Sequence, residues 1–297
     1  MPRRAARAVG CFDGTVPDDF IGDGHLSPQA TARAARAGAS HLPVPVPDLS
    51  DHDAVVAWRA AVHAAWGEDD SDPPRHRRVV VDGVACLVAG PADGPTFVYA
   101  HGGGYVLGSA DVAMPITGRL SERVRVVSVD YRPAPEHPWP AAIDDVVTVA
   151  RAVGAARPFA LGGDSAGGGL ALAAARRLTD GEGPVPRALV LLCPHLDHGG
   201  GDALSRAYVG GADAADPRVS PGRDRLDGLA PTLVQIAAGE ALLPGAVRFA
   251  RRARVAGVDV ALDVWDGLWH TWHYHQEMPE AQRALDEAAS FAVAHLG

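Results

Sequence analysis

The sequence predicts an α/β fold: a mostly parallel, eight-stranded sheet flanked by helices, with a helical segment ahead of it. Three observations carry this. From about residue 76 onward, short continuous apolar runs alternate with helix-length amphipathic stretches, the pattern of strands buried on both faces. Two glycine-rich turns, at 102–104 and 163–167, each follow directly on such a run. The first 75 residues break the alternation and read as a separate unit.

That unit holds two helix patterns. Residues 27–39 are rich in Ala and Arg, with Ser27 placed as N-cap and Pro28 at the first helical position. Alternating prolines at 43, 45 and 47 force an extended connector over 41–47. Residues 51–66 then offer Val55, Val56, Trp58, Val62 and Trp66 for one helical side. The acidic, proline-containing stretch 67–74 is a loop. Beyond it, 78–81 and 84–88 flank Asp82-Gly83, a hairpin signal that places an antiparallel edge on the sheet. Further strands are expected at 96–100, 124–129, 159–161, 189–193, 232–238 and 258–265. Helices are expected at 111–122, 141–153, 166–178, 245–256 and 279–295. The domain division is therefore a cap segment at 1–75 and a catalytic domain at 76–297, with a further cap contribution from about 195–220.

Composition narrows the class. Hydrophobic residues make up 47% of the 297, enough for a large core, and the 21% charged residues form no long polar tract. Arg rather than Lys supplies the positive charge, and the formal net charge of −9 argues against nucleic acid as a partner. The basic start (Arg3, Arg4, Arg7) reads as a solvated tail. No apolar run reaches the roughly 20 residues that a membrane span needs, and no apolar secretory core follows the first arginines. Three cysteines, Cys11, Cys86 and Cys193, form no paired motif, so a cytoplasmic, reducing location is expected. Cys86 and Cys193 lie in apolar runs and read as packing residues.

Chemistry concentrates in three places. Gly163-Asp164-Ser165-Ala166-Gly167 lies between a strand and an Ala-rich helix, where a tight turn holds the Ser165 hydroxyl over a helix N-terminus. His101-Gly102-Gly103-Gly104 follows the strand at 96–100, and its glycines let backbone N–H groups approach a developing oxyanion. A serine hydroxyl needs a histidine to take its proton and a carboxylate to orient that histidine. Glu240 and His270, in the loops after the last two strands, are assigned to those roles by chain order and position. Asp263, inside a strand, and Asp266, on the same loop as His270, compete for the carboxylate role. The run His270-x-x-His273-x-His275, with His195 and His198, is a possible metal cluster. It lacks a second set of ligands at matching spacing, so no metal is expected, and His273 and His275 are assigned to a helix start or the surface.

His101-Gly102-Gly103-Gly104, Asp130-Tyr131-Arg132-Pro133-Ala134-Pro135-Glu136-His137-Pro138-Trp139-Pro140, Gly163-Asp164-Ser165-Ala166-Gly167-Gly168 and Asp216-Pro217-Arg218-Val219-Ser220-Pro221 together resemble the hormone-sensitive-lipase-like esterases and lipases of the α/β-hydrolase fold. The likeness runs from about residue 75 to the end. It implies a serine carboxylic-ester hydrolase acting on small to medium acyl esters through an acyl-enzyme, without organic cofactor or metal. It carries over Ser165, Glu240 and His270 as the triad and the N–H groups of Gly103, Gly104 and Ala166 as the oxyanion hole. It also implies that Asp130, Arg132 and Glu136 brace the glycine loop, and that a homodimer is plausible. Two departures stand out. Ala241-Leu242-Leu243-Pro244-Gly245 replaces the acidic residues usual after the triad carboxylate, and the Gly-rich stretch 195–216 offers little helix, which suggests an open pocket capped mainly by residues 1–75. Two other readings stand beside the esterase: a biosynthetic lactonase or acyl-transfer and cyclisation enzyme on one natural product, and a non-catalytic receptor of the same fold. The receptors lose the histidine that His270 retains here.

Overall fold

A computed structural model of the chain describes residues 26–34, 44–66 and 76–297. The basic start, Cys11, the predicted helical residues 35–39 and the loop at 67–74 lie outside the described residues. Eight strands form one sheet: β1 (Arg77–Val81), β2 (Val84–Ala89), β3 (Thr96–Ala100), β4 (Arg125–Val129), β5 (Phe159–Asp164), β6 (Ala188–Leu192), β7 (Thr232–Ala237) and β8 (Val260–Trp265). Their spatial order is β1-β2-β4-β3-β5-β6-β7-β8. β2 pairs antiparallel with both β1 and β4, and every other pairing is parallel. The hairpin turns at Asp82 and Gly83, both with positive φ (47° and 88°), as an Asp-Gly pair readily does.

The helices cover both faces. α4 (Ala141–Ala156), α5 (Ala166–Arg177) and α7 (Leu243–Val255) pack on one side, and α3 (Met114–Ser121) and α8 (Pro279–Leu296) on the other. The strand period of two is visible in β3: Val98 and Ala100 join the first core cluster, Phe97 and Tyr99 the second. All five β3 residues are buried, which explains an apolar run without polar alternation. β5 continues three residues past its predicted end, because Gly162, Gly163 and Asp164 still pair with β6.

The described part of the N-terminal unit is tied down at two points. α1 (Pro28–Ala34) is capped as predicted, with Ala30 N donating to Ser27 Oγ at 3.1 Å. Ser27 also donates to the buried carboxylate of Glu280 in α8, from its N to Oε1 at 2.7 Å and from its Oγ to Oε2 at 2.8 Å. α2 (His52–Trp66) buries Val55, Trp58 and Val62, whereas Val56 is exposed. In the connector, the Val44 carbonyl accepts from Trp58 Nε1 at 3.2 Å. Among the described residues no helix is long and apolar enough to cross a membrane.

The 195–216 stretch differs from expectation. It holds α6 (Ala203–Val209), whose N-cap Asp202 accepts from Ser205 N at 3.0 Å and from Ser205 Oγ at 2.7 Å. The cap signal was masked by the preceding glycines. Tyr208 is buried and stacks on Tyr105 with ring centroids 3.9 Å apart.

Candidate active site

Ser165 stands between β5 and α5 with φ 51° and ψ −115°, a left-handed backbone that costs of order 1–3 kcal/mol and must be held by its surroundings. The hold is visible. Ser165 N donates to Leu192 O at 2.8 Å, and the Ser165 carbonyl accepts from His195 N at 2.8 Å and Gly169 N at 3.2 Å. The flanking glycines are required by contact: a Cβ on Gly163 would lie 2.2 Å from Ala100 O, and one on Gly167 2.0 Å from the same atom.

The loops after β7 and β8 bring the other two residues in. His270 Nε2 lies 2.9 Å from Ser165 Oγ. His270 Nδ1 and Glu240 Oε2 form a very short hydrogen bond, and Glu240 Oε1 accepts from Ala237 N at 2.9 Å. Burial raises the Glu240 carboxyl, but the bonds from His270, Cys193 and Ala237 outweigh it and hold the group below its ordinary range. The competing acids are engaged elsewhere. Asp263 Oδ2 accepts from Trp265 Nε1 at 2.6 Å, and Asp266, exposed, accepts from Gly267 N at 2.9 Å.

The glycine loop turns sharply after β3, with φ 118° at Gly103 and 60° at Gly104. Gly103 O accepts from Leu107 N at 2.7 Å and Val106 N at 3.2 Å. Among the described residues, neither the Gly103 nor the Gly104 amide donates to a protein acceptor. A Cβ on Gly103 would meet Leu107 O at 2.2 Å, and one on Gly104 would meet Leu204 of α6 at 2.5 Å. Ala166 opens α5, where the amides of the first turn have no partner within the helix.

Two of the three expected braces act on this loop, which runs from β3 to α3. Asp130 accepts from Ala110 N, on the loop itself, at 3.1 Å, and Glu136 acts through Arg59 of α2, whereas Arg132 is engaged with Asp145. Arg59 donates to both Glu136 oxygens at 2.7 Å, to Val106 O at 2.7 Å and to Ala134 O at 2.6 Å. The glycines themselves are held by residues that motif reading passed over. Asp164 Oδ1 accepts from Gly102 N at 2.8 Å and Tyr99 Oη at 2.6 Å, and Oδ2 accepts from Tyr274 Oη at 3.2 Å. Tyr131 donates to His101 O at 2.9 Å and stacks on its ring. Burial raises the Asp164 carboxyl despite these three donors. Asp164 thus bolts the glycine loop to the serine turn.

The histidine run is divided. His270 faces Ser165, whereas His273 lies in a 3-10 helical turn (Trp272–Tyr274), fully buried against Gln235 with Nε2 to Oε1 at 3.2 Å; of the two placements expected, helix start or surface, the surface one fails. His275 is half-buried beside Trp269. His195 and His198 lie across the site in the cluster with Tyr105 and Tyr208. Leu242 and Leu243, in the segment that departs from the usual acids, pack against the main core.

Comparison with known proteins identifies the family. A family model described as alpha/beta hydrolase fold matches residues 97–274. An acetyl-hydrolase of Streptomyces hygroscopicus is 34% identical over 225 residues, covering 67% of this chain and 75% of the relative. An esterase of Acinetobacter venetianus is 35% identical over 222 residues, covering 66% and 73% respectively. Among solved structures, the esterase EstE5 soaked with p-nitrophenyl butyrate superposes with a TM-score of 0.81 at 28% identity, covering 91% of this chain and 99% of that one. A hormone-sensitive lipase from a metagenome library gives a TM-score of 0.78 at 28% identity, covering 90% and 96%. The chain belongs to the hormone-sensitive-lipase-like esterase and lipase family of the α/β-hydrolase fold and is a carboxylic ester hydrolase.

Proposed function

We propose that Ser165, His270 and Glu240 carry out the hydrolysis, on small to medium acyl esters, through a covalent acyl-enzyme. The observation that carries this reading is the unbroken line from Ser165 Oγ through the His270 ring to Glu240, 2.9 Å at its first step. Ser165 Oγ attacks the ester carbonyl as His270 Nε2 takes its proton. Glu240 holds the ring through Nδ1 and stabilises the imidazolium. The carbonyl oxygen, now negative, is met by the N–H groups of Gly103, Gly104 and Ala166. His270 then returns the proton to the departing alcohol, and the alcohol leaves Ser165 acylated. Water, deprotonated by the same ring, releases the acid. The N-terminal unit, together with 195–220, is assigned as the cap over this centre. The family likeness also favours a homodimer, and the sparse cysteines favour a reducing compartment.

Replacing Ser165 by Ala is expected to lower kcat on p-nitrophenyl esters by several powers of ten and to abolish labelling by a fluorophosphonate probe. A panel from acetate to long acyl chains, run beside it, measures the acyl preference. Retained turnover in Ser165→Ala would overturn the reading.

A further inference from the structure

Cys193 is fully buried at the end of β6, and no step of the reaction above uses it. Its backbone is left-handed, with φ 45°, and its N donates to Gln235 O of β7 at 2.7 Å. This posture turns the side chain toward the acid–base pair. Cys193 Sγ, a Glu240 carboxylate oxygen and a His270 ring nitrogen all lie within 4.8 Å of one another. The sulfur also accepts from Thr271 N at 3.4 Å, and Thr271 is itself left-handed at φ 55°. Three loop starts, after β6, β7 and β8, therefore meet at one sulfur atom.

We propose that Cys193 is a positioning residue for the acid–base pair: its thiol donates to the Glu240 carboxylate and accepts from the Thr271 amide, fixing the carboxylate against the ring of His270. This rests on the reading of Ser165, His270 and Glu240 given above. Burial pushes the Cys193 thiol well above its usual value, so it stays protonated and serves as an S–H donor. That donation favours the ionised carboxylate and makes Glu240 a weaker base toward His270. An apolar side chain at 193 removes the donor. The carboxylate then attracts the protonated ring more strongly, and the acid limb of the rate profile moves to higher pH. Among the described residues, other titratable groups that act on His270 include Asp164 from β5, His195 after β6 and His273 after β8, and the substitutions leave all three in place.

The test is the pH profile of kcat/KM for p-nitrophenyl butyrate in the wild-type protein, Cys193→Ala and Cys193→Ser. The Ala variant is expected to shift the acid limb upward by about 0.3–1 pH unit, the equivalent of one weak hydrogen bond. Its kcat should fall about 3–10-fold, with KM nearly unchanged. The Ser variant keeps an O–H donor and should return the limb toward the wild-type position. Thermal unfolding of the wild type and both variants across the same pH range gives the folded fraction at each pH, and each profile is divided by it before the limbs are compared. An Ala profile superimposed on wild type, or Ala and Ser shifting together, would overturn the proposal. Ser165→Ala in the same series separates the two readings. If Ser165→Ala is inactive and Cys193→Ala leaves the limb in place, only the role of the thiol fails. If Ser165→Ala stays active, the triad itself fails.

Discussion

At Gly167 the space for a side chain is already taken by the main chain of β3. A Cβ there would sit 2.0 Å from Ala100 O, and no rotamer change can move a backbone carbonyl. Gly167→Ala is therefore expected to push the serine turn off β3. The stability loss should be about 1–3 kcal/mol by urea unfolding. The loss of kcat/KM should be on the order of 10²-fold, since a displacement near 1 Å suffices for that. Gly211→Ala, at a position with nothing within 4 Å, is the matched control and should change neither quantity. The G-x-S-x-G spacing made this turn legible, because only small flanking residues fit a strand-to-helix bend. Asp164 was not legible. Its importance comes from Tyr99 and Tyr274, which are 65 and 110 residues away and meet it only in the fold.

α2 shows the same limit one level up. The spacing of Val55, Val56, Trp58, Val62 and Trp66 announced a helix with one apolar side; Val55, Trp58 and Val62 are buried, whereas Val56 is exposed. An arginine beside such a stripe reads as solvated, yet Arg59 spends its donors on Glu136, Val106 O and Ala134 O. Val106 follows the glycine loop by two residues, so α2 is pinned to the loop that would receive the oxyanion. Arg59→Met keeps the length of the side chain and strands these acceptors. It should lower the unfolding midpoint by several degrees and cut kcat by about 10-fold, with Ser165→Ala as the baseline; scanning calorimetry and steady-state kinetics check the two effects. α6 was missed for a complementary reason: its cap, Asp202, follows three glycines that hide the helix start from a reading by composition.

Among the described residues, burial holds six histidines below their ordinary value, His63 and His195 among them. His101 and His275 are pushed down to about 4, and His198 and His273 to about 3. Unfolding would restore each to about 6.5. The unfolded chain thus binds more protons than the folded one below that pH, so the stabilisation from keeping the rings neutral is complete above about 6.5 and is lost as pH falls toward 4–3. Thermal unfolding midpoints should fall steadily between pH 6.5 and 4.5, by several degrees in all; a flat profile over that window would contradict this account. The sheet as a whole was legible because uninterrupted apolar runs of this length have few other uses. The crossing that seats β4 beyond β3, with β3 beside β5, has no signature in periodicity, because the order of strands is set by pairings between segments far apart in the chain.

The clamp between Ser27 and Glu280 spans 253 residues of sequence. All eight strands lie between these two residues in sequence, so α1 can dock on α8 only by closing a loop that contains the whole sheet. A contact of that sequence separation carries a large loop-closure entropy and forms after the local pairings, not before them.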